Sequence, residues 1–149
     1  MEIAVLALGC FWGPEIKFDK LEGVTKTEVG YCGGNSDTTT YEKVCSGNTN
    51  HAEVVKLEFD PKKISYEEIL QFFFKIHDST TLNAQGPDIG TQYRSEIFYL
   101  NEDQKKIAKN IIEENNKKLS GKVVTKLSEI KNYCKAEDYH QKYIEKNTR

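Results

Sequence analysis

Cys10 is the first residue of the sequence that invites a chemical reading. It stands in ALGCFWGPEI (7–16), after Gly9 and before Phe11, Trp12, Gly13 and Pro14, where an apolar run gives way to a helix start. Unpaired backbone N–H groups at such a junction stabilise an anion and lower a thiol pKa. The position suits a nucleophilic thiolate as well as it suits a buried corner. Adjacent aromatics such as Phe11 and Trp12 are core by type. Residues just past a strand end, however, lie at the sheet's rim, beside the thiol, where two rings can hold a small apolar group such as a methyl.

A carboxylate supplies the second feature. In HAEVVKLEFD (51–60) the two-residue strand period puts Glu53 on the same face as Val55, Leu57 and Phe59, with Lys56 and Glu58 on the other. Burial disfavours the charged form of a carboxyl and raises its pKa, which makes Glu53 a proton donor near neutral pH. The alternative is that Glu53 marks the exposed start of the strand.

The four cysteines are Cys10, Cys32, Cys45 and Cys134. None forms a CxxC pair and no histidine stands at ligand spacing from them, so no metal site is expected. No apolar run reaches the roughly 18 residues of a membrane span. The opening MEIAVLALGCFW has no basic n-region or cleavage site and reads as a first strand, which makes a reducing cytoplasm with free thiols the expected setting. Net charge is −2 with interspersed signs, and residues 102–149 hold twelve Lys/Arg against eight Asp/Glu. So mild a tilt fits a solvated helix face and not a nucleic-acid surface.

The elements that must position these groups alternate. Residues 3–8 read as a buried strand, Pro14 sits in a first helical turn with Phe18 and Leu21 on one face, and 24–31 is a second strand. Residues 32–50 read as a long functional loop, and 52–59 as a strand closed by Asp60-Pro61. Ser65 and Glu68 form a capping box before Ile69, Phe72, Phe73 and Ile76. A second loop (79–94), a strand (96–100), a helix capped by Asn101 to about 119 and a last strand (122–127) complete the chain. The expectation is a single domain, 1–149, of α/β (α+β) class: a ferredoxin-like split βαβ sheet with helices packed on it, plus long active-site loops.

Taken in order, GCFWG (9–13), EVGYCGG (28–34), TYEKVCSGNTNHAEVV (40–55), FDPKKISYEE (59–68), KIHD (75–78), LNAQGPDIGTQYRS (82–95) and AEDYHQKY (136–143) span nearly the whole sequence. In these segments the chain resembles the A-type peptide methionine sulfoxide reductases. The resemblance implies that Cys10 attacks the sulfur of methionine sulfoxide, in oxidised proteins or peptides or as the free amino acid, and that Phe11 and Trp12 hold the substrate methyl. It further implies that Glu53 protonates or hydrogen-bonds the sulfoxide oxygen beside the hydroxyls of Tyr41 and Tyr93, and that Asp88 orders the site. The S epimer is the implied substrate. Donors placed where charge develops do the most for rate, and the step leaves a sulfenic acid on Cys10. His51 and His140 lie in matching segments and read as structural.

Many members of that family carry resolving cysteines in a glycine-rich C-terminal tail, whereas this sequence runs on from AEDYHQKY only to IEKNTR (144–149). The expected cycle is therefore external: no bound cofactor, and a thiol reductant (thioredoxin, glutaredoxin or a small thiol) that attacks the sulfenic acid directly. Cys32 and Cys45 fall inside family segments and read as small structural residues, which leaves Cys134 as the best internal candidate for resolution. A thiol peroxidase or redox-sensing protein is the rival reading. It needs a low thiol pKa but neither a methyl pocket nor oxygen-directed donors.

Overall fold

Residues 1–144 are described by a computed structural model. The first strand, β1 (Glu2–Leu8), is buried on both faces from Ala4 onward, as its unbroken apolar run requires. It leads through a tight turn into α1 (Trp12–Asp19), and β2 (Val24–Cys32) follows. A short helix, α2 (Tyr41–Cys45), precedes β3 (Ala52–Phe59) and α3 (Tyr66–Ile76). A small hairpin, β4 (Ala84–Gln85) and β5 (Asp88–Ile89), and a 3-10 turn at Thr91–Tyr93 lead into β6 (Ser95–Tyr99). The long helix α4 (Glu102–Lys118), β7 (Lys126–Glu129), β8 (Cys134–Lys135) and a 3-10 turn at Asp138–His140 complete the described chain.

Among the described residues the main sheet runs β7-β6-β1-β3-β2-β8. Each of its four central strands is antiparallel to its neighbours in that group, and each helical crossover (β1-α1-β2 and β3-α3-β6) joins two parallel strands with another strand between them. This is the split βαβ arrangement expected from the sequence. Two edges extend it: β7 pairs parallel to β6, and β8 antiparallel to β2. Ala4, Leu6, Leu8, Val29, Val55, Leu57, Phe59 and Ile97 form one core with Phe18 of α1, Ile69 and Phe73 of α3 and Ile111 of α4. The opposite face carries Val5, Ala7, Ala52, Val54 and Phe98, and Ile130 and Tyr133 from the β7–β8 connection pack on it.

Local signals set the helix starts. Ser65 Oγ accepts from Glu68 N at 3.0 Å while the Glu68 carboxylate accepts from Ser65 N at 3.2 Å, a complete capping box worth on the order of 1 kcal/mol. Asn101 Oδ1 accepts from Gln104 N at 2.9 Å, and Gln104 then ties the helix start to β1 by donating to Ile3 O.

The two expected loops are more ordered than their composition suggests. Residues 32–50 hold α2, started by Thr40, whose hydroxyl accepts from Lys43 N, and by the Glu137 carboxylate, which accepts from Tyr41 N. Residues 79–94 hold the β4–β5 hairpin. The last expected strand, 122–127, is displaced to β7. Val123 N donates to the Asn116 side chain and Val124 N to Ser79 O, so parallel pairing with β6 starts only at Lys126. Strand β8 was not expected, and neither was the cover over the sheet's second face. Residues 145–149, which bear on the tail, lie outside the described residues.

Candidate active site

Gly9 makes the turn that delivers Cys10. Its φ of +100° is open to glycine, and a Cβ there would lie 2.8 Å from Gln85 Cβ. The β4–β5 hairpin, with Asp88 on it, therefore packs directly against the turn. Cys10 is half-buried, Phe11 is the N-cap residue of α1, and the Trp12 N–H reaches back to the thiol.

Glu53 faces the helical side of the sheet in phase with Val55, Leu57 and Phe59, and only 1 % of it is exposed. Its Oε1 accepts from Phe11 N at 3.3 Å, so the carboxyl is one residue from the thiol. Its Oε2 is buried with no hydrogen-bond partner among the described residues. Burial pushes the carboxyl up to about 8, against the Phe11 N–H and with help from the Asp88 charge. A group so placed is protonated at neutral pH.

The thiol itself departs from expectation. Cys10 is pushed up to about 11, not lowered. Burial is the main cause; the Trp12 N–H opposes it, and the charges of Glu53, Asp88 and Cys45 add to it. A single N–H at the start of a two-turn helix does not offset desolvation among carboxylates.

Tyr41 and Tyr93 come to the same place. Burial raises both phenols, Tyr93 to about 12, and the Glu53 charge adds to each. Tyr93 also feels Cys45, Asp88 and Cys10, so its hydroxyl is within electrostatic reach of both sulfurs and both carboxylates. Both phenols are protonated donors at any physiological pH. Phe11 is fully buried against Tyr31 (5.7 Å between ring centroids) and Tyr41 (6.5 Å). Trp12 is half-buried and stacks on Tyr143 at 3.9 Å and 12°. One ring is thus floor and the other rim.

The segment after β8 is the part that residue-by-residue reasoning missed as a working element. Glu137 accepts from the Tyr31 hydroxyl and the Tyr41 amide, Gln141 pairs with both backbone groups of Val29, and Lys142 N donates to the buried Glu15 carboxylate. Residues 137–143 are thereby strapped across β2 and α1, with His140 against the aromatic cluster. AEDYHQKY, which gathers two acids, two tyrosines, a histidine and an amide into eight residues, was the available signal.

All four thiols are free. Cys32 is buried with its thiol on Lys131 O, and His51 is held by Ser36 O. Cys134 shares a ladder position with Tyr31, which itself pairs with Glu53, so it lies two strands away from Glu53; its thiol contacts Thr39 O and Lys135 O. Cys45, read from sequence as a small structural residue, belongs to the same cluster as Cys10. It is exposed at the end of α2, its thiol interacts with the Tyr41 and Tyr93 hydroxyls, and its charge reaches Cys10. Its place one turn after Tyr41 was the overlooked signal. No cluster of three or more His, Cys, Asp or Glu among the described residues is arranged to hold a metal ion, and no helix among them is long and apolar enough to cross a membrane.

The family model for peptide methionine sulfoxide reductase matches residues 2–149. The chain belongs to this family. A peptide methionine sulfoxide reductase MsrA of Pelagibacter ubique is 75 % identical over 146 residues, covering 98 % of this chain and 99 % of the relative. Among solved structures, the reduced form of Mxr1 from Saccharomyces cerevisiae superposes with a TM-score of 0.94 at 41 % identity, covering 99 % of this chain and 86 % of that one. The same yeast protein in complex with Trx2 matches with a TM-score of 0.68 at 29 % identity, covering 95 % of this chain and 84 % of that one. Family membership and fold therefore agree over the full sheet and its crossovers.

Proposed function

We propose that this peptide methionine sulfoxide reductase reduces methionine S-sulfoxide, free or in proteins, through Cys10. The single observation that carries the assignment of roles is the buried oxygen of Glu53 that has no partner among the described residues, beside the Cys10 turn. A carboxyl held near 8 keeps a proton for an acceptor that enters the site, and a sulfoxide oxygen is such an acceptor.

The sulfoxide sulfur sits over Cys10 with its methyl between Phe11 and Trp12. The Cys10 sulfur attacks it while Glu53 protonates the oxygen, and Tyr41 and Tyr93 donate hydrogen bonds to the developing charge. The oxygen passes to Cys10, methionine leaves, and Cys10 is left as a sulfenic acid. Protonation of Glu53 also removes a carboxylate charge that holds the thiol pKa up, so acid and thiolate are coupled. Asp88, whose charge raises both groups, is assigned the ordering role.

Return to the thiol consumes two reducing equivalents and releases the oxygen as water. We assign this to an external thioredoxin-type dithiol; the yeast relative's complex with Trx2 supports that class of partner. No bound cofactor enters the scheme, and a reducing cytoplasm is the proposed setting. A peroxidase or redox sensor needs neither the aromatic pair Phe11 and Trp12 beside the thiol nor the protonated donors Glu53, Tyr41 and Tyr93 gathered around it.

The test is incubation with a methionine S-sulfoxide peptide and dithiothreitol, followed by mass spectrometry. Loss of one oxygen from the peptide is expected, with the R epimer untouched. An unchanged peptide would end the assignment.

A further inference from the structure

His140 stands at the centre of the aromatic wall and takes no part in the chemistry above. Its ring centroid is 4.4 Å from Tyr41, 5.4 Å from Phe11 and 5.7 Å from Trp12, and only 2 % of the residue is exposed. Its Nδ1 lies 3.0 Å from Trp12 Nε1. An indole N–H only donates, so Nδ1 accepts and carries no proton. The ring's proton is then on Nε2, which is buried with no hydrogen-bond partner among the described residues. An imidazolium, or the other tautomer, would set two donors face to face.

The indole needs such a constraint. Tyr143 covers it at 3.9 Å with planes 12° apart, which fixes the plane of the ring. Stacking tolerates sliding and rotation within that plane, because its attraction is spread over the whole face. A directional bond at the ring edge removes that freedom. Glu137, Gln141 and Lys142 in turn hold the strap that carries both His140 and Tyr143.

We propose that His140 is a positioning residue: as a neutral ring with its proton on Nε2, it fixes the Trp12 indole as the wall against which the sulfoxide methyl rests. The proposal rests on the reading of Trp12 as part of the substrate pocket. Its structural half, the tautomer and the indole bond, stands apart from activity.

Trp12 is the sole tryptophan, so fluorescence excited at the red edge, where the eight tyrosines do not absorb, and the single indole N–H resonance report on it alone. In the wild type, nitrogen NMR is expected to show His140 unprotonated at Nδ1 and a slowly exchanging indole N–H. In His140→Phe the emission should shift and kcat/KM for a methionine sulfoxide peptide should fall about tenfold, the effect of one lost buried hydrogen bond. Cys10 alkylation should keep its rate, since the nucleophile is untouched. His140→Asn, whose Oδ1 takes the place of Nδ1 as acceptor, should restore both emission and kcat/KM. The proposal is overturned by a protonated Nδ1 in the wild type, by unchanged emission and kcat/KM in the Phe variant, or by an Asn variant as impaired as Phe. Should the Phe variant not fold, the wild-type tautomer decides. If the protein does not act on sulfoxides, the NMR and emission results still test the bond while kcat/KM is lost for all forms, which separates the two failures.

Discussion

The backbone N–H of Phe11 donates to the Glu53 carboxylate at 3.3 Å, joining the residue after the nucleophile to the middle strand of the sheet. One carboxylate oxygen is engaged in this bond and the other is buried without a partner among the described residues. The acid and the thiol are therefore set in place by one contact, 42 residues apart in sequence.

Cys10→Ser should abolish dithiothreitol-driven turnover and leave the circular dichroism spectrum unchanged. A serine hydroxyl is far less acidic and less nucleophilic than a thiol, while its volume fits the half-buried turn. Activity near wild type in this variant would remove Cys10 from the mechanism.

Glu53→Gln should slow the chemical step by about 10²–10⁴-fold, because the amide donates a hydrogen bond but delivers no proton. The same change removes a negative charge that raises Cys10. The thiol pKa should therefore drop below about 11, read as faster iodoacetamide alkylation at pH 9–10. Unfolding would also expose the thiol and speed its alkylation, so the result counts only where the circular dichroism spectrum and thermal midpoint of the variant match the wild type.

The pH profile follows from the two raised groups, Glu53 at about 8 and Cys10 at about 11. The competent form has the thiolate and the protonated carboxyl. Below about 8 its fraction, and with it kcat/KM, should rise about tenfold per pH unit with the thiolate. Between the two values the gain in thiolate is offset by loss of the acid, so the profile should level. A wild-type profile that climbs without a break to pH 10 would show that Glu53 gives up no proton.

His77 predicts an acid-sensitive fold. Burial pushes it down to about 4, and its Nδ1 and Nε2 are engaged by Phe73 O and the Ser95 hydroxyl. Between about 4 and the unfolded value near 6.5, only the unfolded chain takes up a proton. Its contribution is complete above that window and is lost as pH falls through it, up to about 3 kcal/mol in all. In urea titrations the stability gap between wild type and His77→Gln should narrow steadily from pH 7 to pH 4.5.

After one equivalent of sulfoxide, without reductant, dimedone should trap a sulfenic acid on Cys10. Cys134→Ser and Cys45→Ser should both retain turnover with a thioredoxin-type dithiol. A Cys10–Cys45 disulfide formed at the rate of turnover is the outcome that would replace external resolution, since Cys45 is the second thiol whose charge reaches Cys10.

What the sequence determined by itself was local or periodic. The two-residue period of β3 places Glu53 with Val55, Leu57 and Phe59 whatever surrounds the strand, and Ser65 and Glu68 close their capping box within four residues. Gly9 next to Cys10 marks a turn, and the order of strands and helices limits the sheet to few topologies. The ordered motifs pointed to the family and its site residues.

Tertiary structure decided whatever sums over distant elements. The Cys10 pKa depends on burial and on charges from β3, β5 and α2, so the helix-start argument, which counts only local N–H groups, gave the wrong sign. Helix α2 is too short to be stable alone and begins where Glu137, 96 residues on, accepts from Tyr41 N. Strand β7 starts late because Asn116 and Ser79 hold the preceding backbone. The interaction of Cys45 with Tyr41 and Tyr93, the two-strand separation of Cys134 from Glu53 and the bond from Trp12 to His140, 128 residues apart, exist only in the assembled fold. Spacing along the chain carries no information about such contacts, because each is set by where two separately built elements meet.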